Sequence, residues 1–153
     1  MPDGSIGRRS VITVALLGLT GCFGESTAVI SPEPRVQFIE PADGATVPSP
    51  VRVRFEVTGR YQVRPAGDMS PNTGHLHLII DSGPVAAGMQ IPFDPNHLHY
   101  GTAPVPPAMV DTMVELPPGT HTLTVQFADG AHRAYGGWLI QTIQVVTTVP
   151  PIG

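Results

Sequence analysis

The residues best suited to chemistry in this chain are its six histidines, which fall in four segments. Two segments are His-x-His pairs, His75-Leu76-His77 and His97-Leu98-His99; His121 and His132 stand singly. Side chains alternate across a β-strand, so residues i and i+2 point to the same side. A His-x-His pair on a strand therefore delivers two imidazoles into one space, already oriented by the sheet. Neutral imidazole is a good ligand for Zn²⁺ and Cu²⁺. The expected metal ligands are His75, His77, His97 and His99, with His121 and His132 as weaker candidates. Asp81 and Asp129 are candidates to orient the rings from a second layer. Met69 and Met89 lie in flanking loops, where a thioether would favour Cu(I).

A structural role stands beside this reading. A histidine among apolar residues is often a core group satisfied by a backbone partner. His121 fits that description, since it alternates in phase with Leu123, Val125 and Phe127. The alternative to a metal-binding domain is thus a purely structural or interaction module with no metal.

Other chemistries find little support. No lysine is present and all eight basic residues are arginines, which excludes Schiff-base chemistry and a P-loop lysine. The net charge of -4 offers no footprint for nucleic acid. Ser70 and Ser82 flank the central histidine pair, but no Gly-x-Ser-x-Gly elbow occurs. Asp81, Asp94 and Asp111 show no spacing that pairs them as catalytic carboxylates. The chain is not read as an enzyme.

The elements that must position the histidines read as β-strands. Gly74 to Asp81 is a short apolar run bounded by turn residues, with Leu76, Leu78 and Ile80 on one face and His75 and His77 beside Ile79 on the other. Val51 to Thr58 alternates Val51, Val53, Phe55 and Val57 against Arg52, Arg54, Glu56 and Thr58, the mark of one buried and one wet face. Further strands are expected at Arg35–Glu40, His97–Gly101, Val110–Leu116, Thr120–Ala128 and Trp138–Thr148. Seventeen glycines and eighteen prolines punctuate them and leave no amphipathic helix. About seven strands with turns at roughly 8–12-residue intervals predict an all-β, antiparallel, immunoglobulin-like β-sandwich.

The amino-terminal segment reads as an export signal. Arg8 and Arg9 precede a short apolar run, Val11 to Leu19, that ends in Leu19-Thr20-Gly21-Cys22. This tetrapeptide resembles a bacterial lipobox, in which the cysteine is lipidated and becomes the first mature residue. Cys22 is also the only cysteine in the chain, and an unpaired cysteine in an exported protein calls for such a role. The organisation read from the sequence is a signal peptide at 1–21, a tether at 22–34 and one domain at 35–149. The expected address is the bacterial cell envelope, with the domain held outside the cytoplasm on an inner or outer membrane by lipid alone. The expected partners are that membrane through Cys22, and a metal ion or an envelope protein; nucleic acid is not among them.

A family resemblance rests on several segments. They are Val36-Gln37-Phe38 with Pro41-Ala42-Asp43-Gly44-Ala45-Thr46-Val47, then Ser49-Pro50-Val51, Pro65-Ala66-Gly67, and Gly74-His75-Leu76-His77-Leu78-Ile79-Ile80-Asp81. Leu116-Pro117-Pro118-Gly119-Thr120-His121-Thr122-Leu123 and Phe127-Ala128-Asp129 through His132 complete the set. In these the chain resembles the DUF4399 family of exported bacterial domains across roughly residues 36 to 147. The family pattern has three consecutive histidines in the central motif, and here Leu76 replaces the middle one. The resemblance implies an exported β-sandwich and supplies no biochemical function. Gly74-His75-Leu76-His77 is also similar to the copper strand of Cu/Zn superoxide dismutase, without that enzyme's other motifs or its disulfide.

Overall fold

The β-branched, alternating stretches of the sequence form two sheets that share one apolar layer. In the computed structural model, residues 33–102 and 108–149 are described. The expected signal peptide at 1–21, Cys22 and nearly all of the expected tether lie outside them. Among the described residues, nine strands run in the order β1 (Val36–Glu40), β2 (Ala45–Pro48), β3 (Val51–Val57), β4 (Gln62–Val63), β5 (Thr73–Ile80), β6 (His97–Tyr100), β7 (Ala108–Val114), β8 (Gly119–Ala128) and β9 (Ile140–Thr148). One turn of 3-10 helix, Gly137–Leu139, precedes β9, and no α-helix occurs among the described residues.

The smaller sheet has the order β1-β3-β7 and is antiparallel throughout. The larger has the order β2-β9-β8-β5-β4, with β6 also paired to β5. Two pairings in it, β2 with β9 and β4 with β5, are parallel, so the sandwich is mixed at its margins rather than antiparallel throughout. Those two short strands, of four and two residues, account for the excess over the seven strands expected.

The inward faces carry the residues whose alternation predicts burial. Val53 and Phe55 of β3 meet Leu76 and Leu78 of β5 and Leu123, Val125 and Phe127 of β8 in one core, all essentially inaccessible to solvent. Each such side chain contributes roughly 1.5–3 kcal/mol through removal from water. The opposite face of β3 is less wet than its charges suggest. Arg52 is exposed, but Arg54 and Glu56 are half-buried. Arg54 reaches Glu40 at 3.3 Å and Asp111 at 3.7 Å, and Glu56 accepts a hydrogen bond from Gln37 at 2.6 Å. Cross-strand partners thus cover charges that a lone strand would leave in water.

β5 is the best-protected strand: seven of its eight residues are buried. Its core face is explained by the sandwich. Its other face is covered by a third layer, made of the segment between β5 and β6 and the loop after β8. Ile91 and Ala134 from those segments pack on Ala128, with Val85 beside them. Gly88 N–H donates to Ala134 O at 2.8 Å and Ala134 N–H donates to Met89 O at 2.9 Å, so the two covering segments form a ribbon. Gln126, on the outer face of β8, fastens this ribbon to the sheet. Its side-chain amide donates to Val85 O at 2.7 Å and to Tyr135 O at 3.2 Å, and accepts from Val85 N–H at 2.9 Å.

Candidate metal centre

The histidines of β5 lie under this cover. β5 begins hard against the end of β8, and only glycine permits the approach: a Cβ on Gly74 would sit 2.0 Å from the Ala128 carbonyl oxygen. From there the pleat sends His75 and His77 to the outer face of the sheet. Pairing with β6 places His99 directly opposite His77. Gly101 leaves the room for the His99 ring, since a Cβ there would lie 3.1 Å from its Cε1. The fourth imidazole comes from the loop after β8. His132 takes a left-handed backbone conformation, with φ 62°. Its N–H donates to Asp129 O at 2.9 Å, and its own carbonyl accepts from Ile91 N–H at 2.8 Å. The Asp129 carboxylate accepts the amides of Ala131 at 2.8 Å and Arg133 at 2.9 Å, closing the turn that aims the ring inward.

One ring nitrogen from each of His75, His77, His99 and His132 lies within 4.8 Å of the others. The six ring-to-ring centroid distances run from 4.3 Å, between His75 and His99, to 5.6 Å, between His77 and His132. Zinc or copper held by imidazole needs metal–nitrogen distances near 2.0–2.1 Å. Four nitrogens around such an ion are mutually about 3–4 Å apart, within the observed spread.

Burial favours the neutral form of three of these rings, those of His75, His77 and His99. Burial, followed by the neighbouring His99 and His132, pushes His75 down to about 4. Burial, followed by His75, His99 and His132, pushes His77 down to about 3. His99 is also lowered, first by burial and then by His132. Neutral imidazole is the form that ligates metal. Both nitrogens of His75 and both of His77 are buried and receive no hydrogen bond from any protein group. Buried polar atoms almost always have partners, because an unsatisfied one costs about 1–3 kcal/mol.

The remaining candidates from the sequence are placed elsewhere. His97 shares a face with His99 but lies two residues earlier, at the start of β6, opposite Ile79. Its Nδ1 pairs with Asp94 at 2.8 Å, which ties off the covering segment instead of joining the four. His121 sits toward the other end of β8, with Nδ1 2.7 Å from Asp81 and Nε2 2.8 Å from Pro117 O. Burial alone would lower its pKa, but Asp81 and the Pro117 carbonyl outweigh it and the net shift is upward. Asp81 is committed to His121 and to the Thr122 amide, so it orients none of the four rings. Asp129 does serve the centre, through backbone amides rather than through an imidazole. Met69 and Met89 are both 61% exposed. His132 therefore takes the place expected of His97. Gln126 and Gly101 have no chemistry-bearing sequence signal; the fifteen-residue stretch from Ser82 to Asn96, long for an irregular connection, is the one hint of a covered face.

Comparison with known proteins adds a family and little else. A family model described as "Domain of unknown function (DUF4399)" matches residues 53–148. No curated protein sequence matches the chain. Among solved structures, the chain is similar to the endo-beta-1,4-mannanase from Thermotoga petrophila, with a TM-score of 0.49 and 15% identity. That likeness covers 77% of this chain and 20% of the mannanase chain, so the chain spans about a fifth of that protein's length.

Proposed function

This chain belongs to the DUF4399 family, and we propose that its domain binds a transition-metal ion, Zn²⁺ or Cu²⁺, through His75, His77, His99 and His132. The observation that carries the reading is that both ring nitrogens of His75 and of His77 are buried and unpartnered, while one nitrogen of each ring lies within 4.8 Å of a nitrogen of His99 and of His132. A structural histidine pair would be expected to hydrogen-bond within the core, as His121 does with Asp81 and Pro117. A metal ion satisfies one nitrogen of each ring. The nitrogen-only donor set favours Zn²⁺ and Cu²⁺ over the oxygen-seeking Mg²⁺ and Ca²⁺.

The test is a set of melting curves on the chain purified without a polyhistidine tag, with and without Zn²⁺ or Cu²⁺. Binding only to the folded state at 100 times Kd adds about 2.7 kcal/mol, so the wild type should melt higher. His75→Ala combined with His77→Ala should remove the metal-dependent gain. A wild-type curve unmoved by excess of both ions would refute the reading.

In the same reading the domain is carried at the bacterial cell envelope by lipid on Cys22. The support is the lipobox-like Leu19-Thr20-Gly21-Cys22 after a basic and apolar leader. Cys22→Ser should move the protein from the membrane to the soluble fraction. A variant still anchored by covalent lipid would contradict this address.

A further inference from the structure

The four imidazoles are not equivalent. His75 and His77 are buried on β5, a strand paired on both sides, with β8 along one edge and β4 and β6 along the other. His99 is exposed, on the four-residue strand β6. His132 is half-buried, on a loop. The centre thus has a sealed floor on the most protected strand and a rim on elements with fewer ties. Beside His132 lies a cleft of about 500 Å³ lined by Gln90, Ile91, Pro92 and Phe93. Phe93 stands 95% exposed at this cleft. A structural zinc site would be closed on all sides, with its ligands set in the folded frame.

We infer that the ion is an exchangeable cargo, taken up and given away across the rim formed by His99 and His132 while the sheet stays folded. This rests on the metal-binding reading. The partner is a carrier or small chelator that offers nitrogen, oxygen or sulfur ligands of its own through the cleft. In the transfer, a bond from the incoming ligand to the ion forms as the His132–metal bond breaks, and the His99 bond is replaced next. The ion keeps its oxidation state and the imidazoles leave neutral, so no electron moves; any proton carried by the incoming ligand passes to solvent as its bond to the metal forms. His75 and His77 hold the ion until the last step. Opening a short edge strand and a loop costs less than opening the sheet, so release need not wait for unfolding.

The experiment follows zinc leaving the loaded full chain for excess 4-(2-pyridylazo)resorcinol, whose zinc complex is coloured. Unfolding of the loaded chain is measured separately by circular dichroism and extrapolated to zero denaturant. Release should run at least about tenfold faster than unfolding, because it draws on local opening only. His99→Ala and His132→Ala should each speed release by on the order of tenfold or more, as loss of a ligand weakens the hold. Release at the unfolding rate, unaltered by either substitution, would overturn the inference and leave the metal-binding reading intact. A chain that takes up no zinc or copper in the melting experiment would remove both.

Discussion

Replacing His77 with leucine in the metal-free chain should change stability in a direction that depends on pH. The ring is 2% exposed, and neither of its nitrogens has a hydrogen-bond partner. Leucine is of similar bulk and carries no polar atom to strand, so at pH 7.5 the variant should equal or exceed the wild type, by up to about 1–2 kcal/mol. The pH dependence follows from linkage. Burial and the neighbouring histidines hold His77 in the folded state at about 3, against about 6.5 in the unfolded chain. As pH falls below about 6.5 the unfolded chain takes up the proton first, so wild-type stability is full above that value and declines toward 3. At pH 5 the gap is about 1.5 pH units, and at about 1.4 kcal/mol per unit the wild type has lost about 2 kcal/mol through this residue alone. The variant lacks that loss, so its advantage should grow by about 2 kcal/mol between pH 7.5 and pH 5. Urea unfolding followed by circular dichroism, with a chelator present, measures both values. Parallel pH curves, or a variant several kcal/mol less stable at pH 7.5, would show instead that the ring is solvated or hydrogen-bonded in the native state.

Two further substitutions probe the frame around the centre. Asp129→Ala should release the turn that aims His132 and weaken metal binding by on the order of tenfold, whereas Asp129→Asn keeps an oxygen for the Ala131 and Arg133 amides and should bind nearly as wild type; calorimetric titration separates the two. His121→Gln should show the opposite pH trend to His77, because the Asp81 partnership raises the folded pKa of His121. Its contribution is complete below about 6.5 and is lost as pH rises through the raised value, so wild type and variant should converge in urea midpoints toward alkaline pH.

The strands and their inward faces are legible in the sequence because one face of each meets the core. The alternation of Val51, Val53, Phe55 and Val57 leaves little freedom of register, and these residues are buried as read. The outward face of β5 is a different case. That His75 and His77 share a side follows from strand geometry; that the side is covered depends on where the segment from Ser82 to Asn96 folds back. No local propensity specifies that return. It is held by Gln126, which lies on one face of β8 with Thr122 and Thr124, where nothing in the sequence marks a covering segment. The exchange of His97 for His132 has a similar origin. Asp94 captures the His97 ring, while the turn at Asp129 presents the His132 ring to the pair. Of the two short strands, β4 falls within Tyr61–Val63, which reads as a brief extended stretch, whereas β2 escapes notice because it pairs in parallel with the distant β9 and a run of four residues carries no readable period.

Anomalous diffraction from crystals of the chain loaded with Zn²⁺ or Cu²⁺ would locate the ion itself. One strong peak is expected at the absorption edge of the metal, enclosed by His75, His77, His99 and His132, with nitrogens at about 2.0–2.1 Å. A peak on His97 or His121 with the four rings left apart, or no ordered peak in metal-soaked crystals, would contradict it.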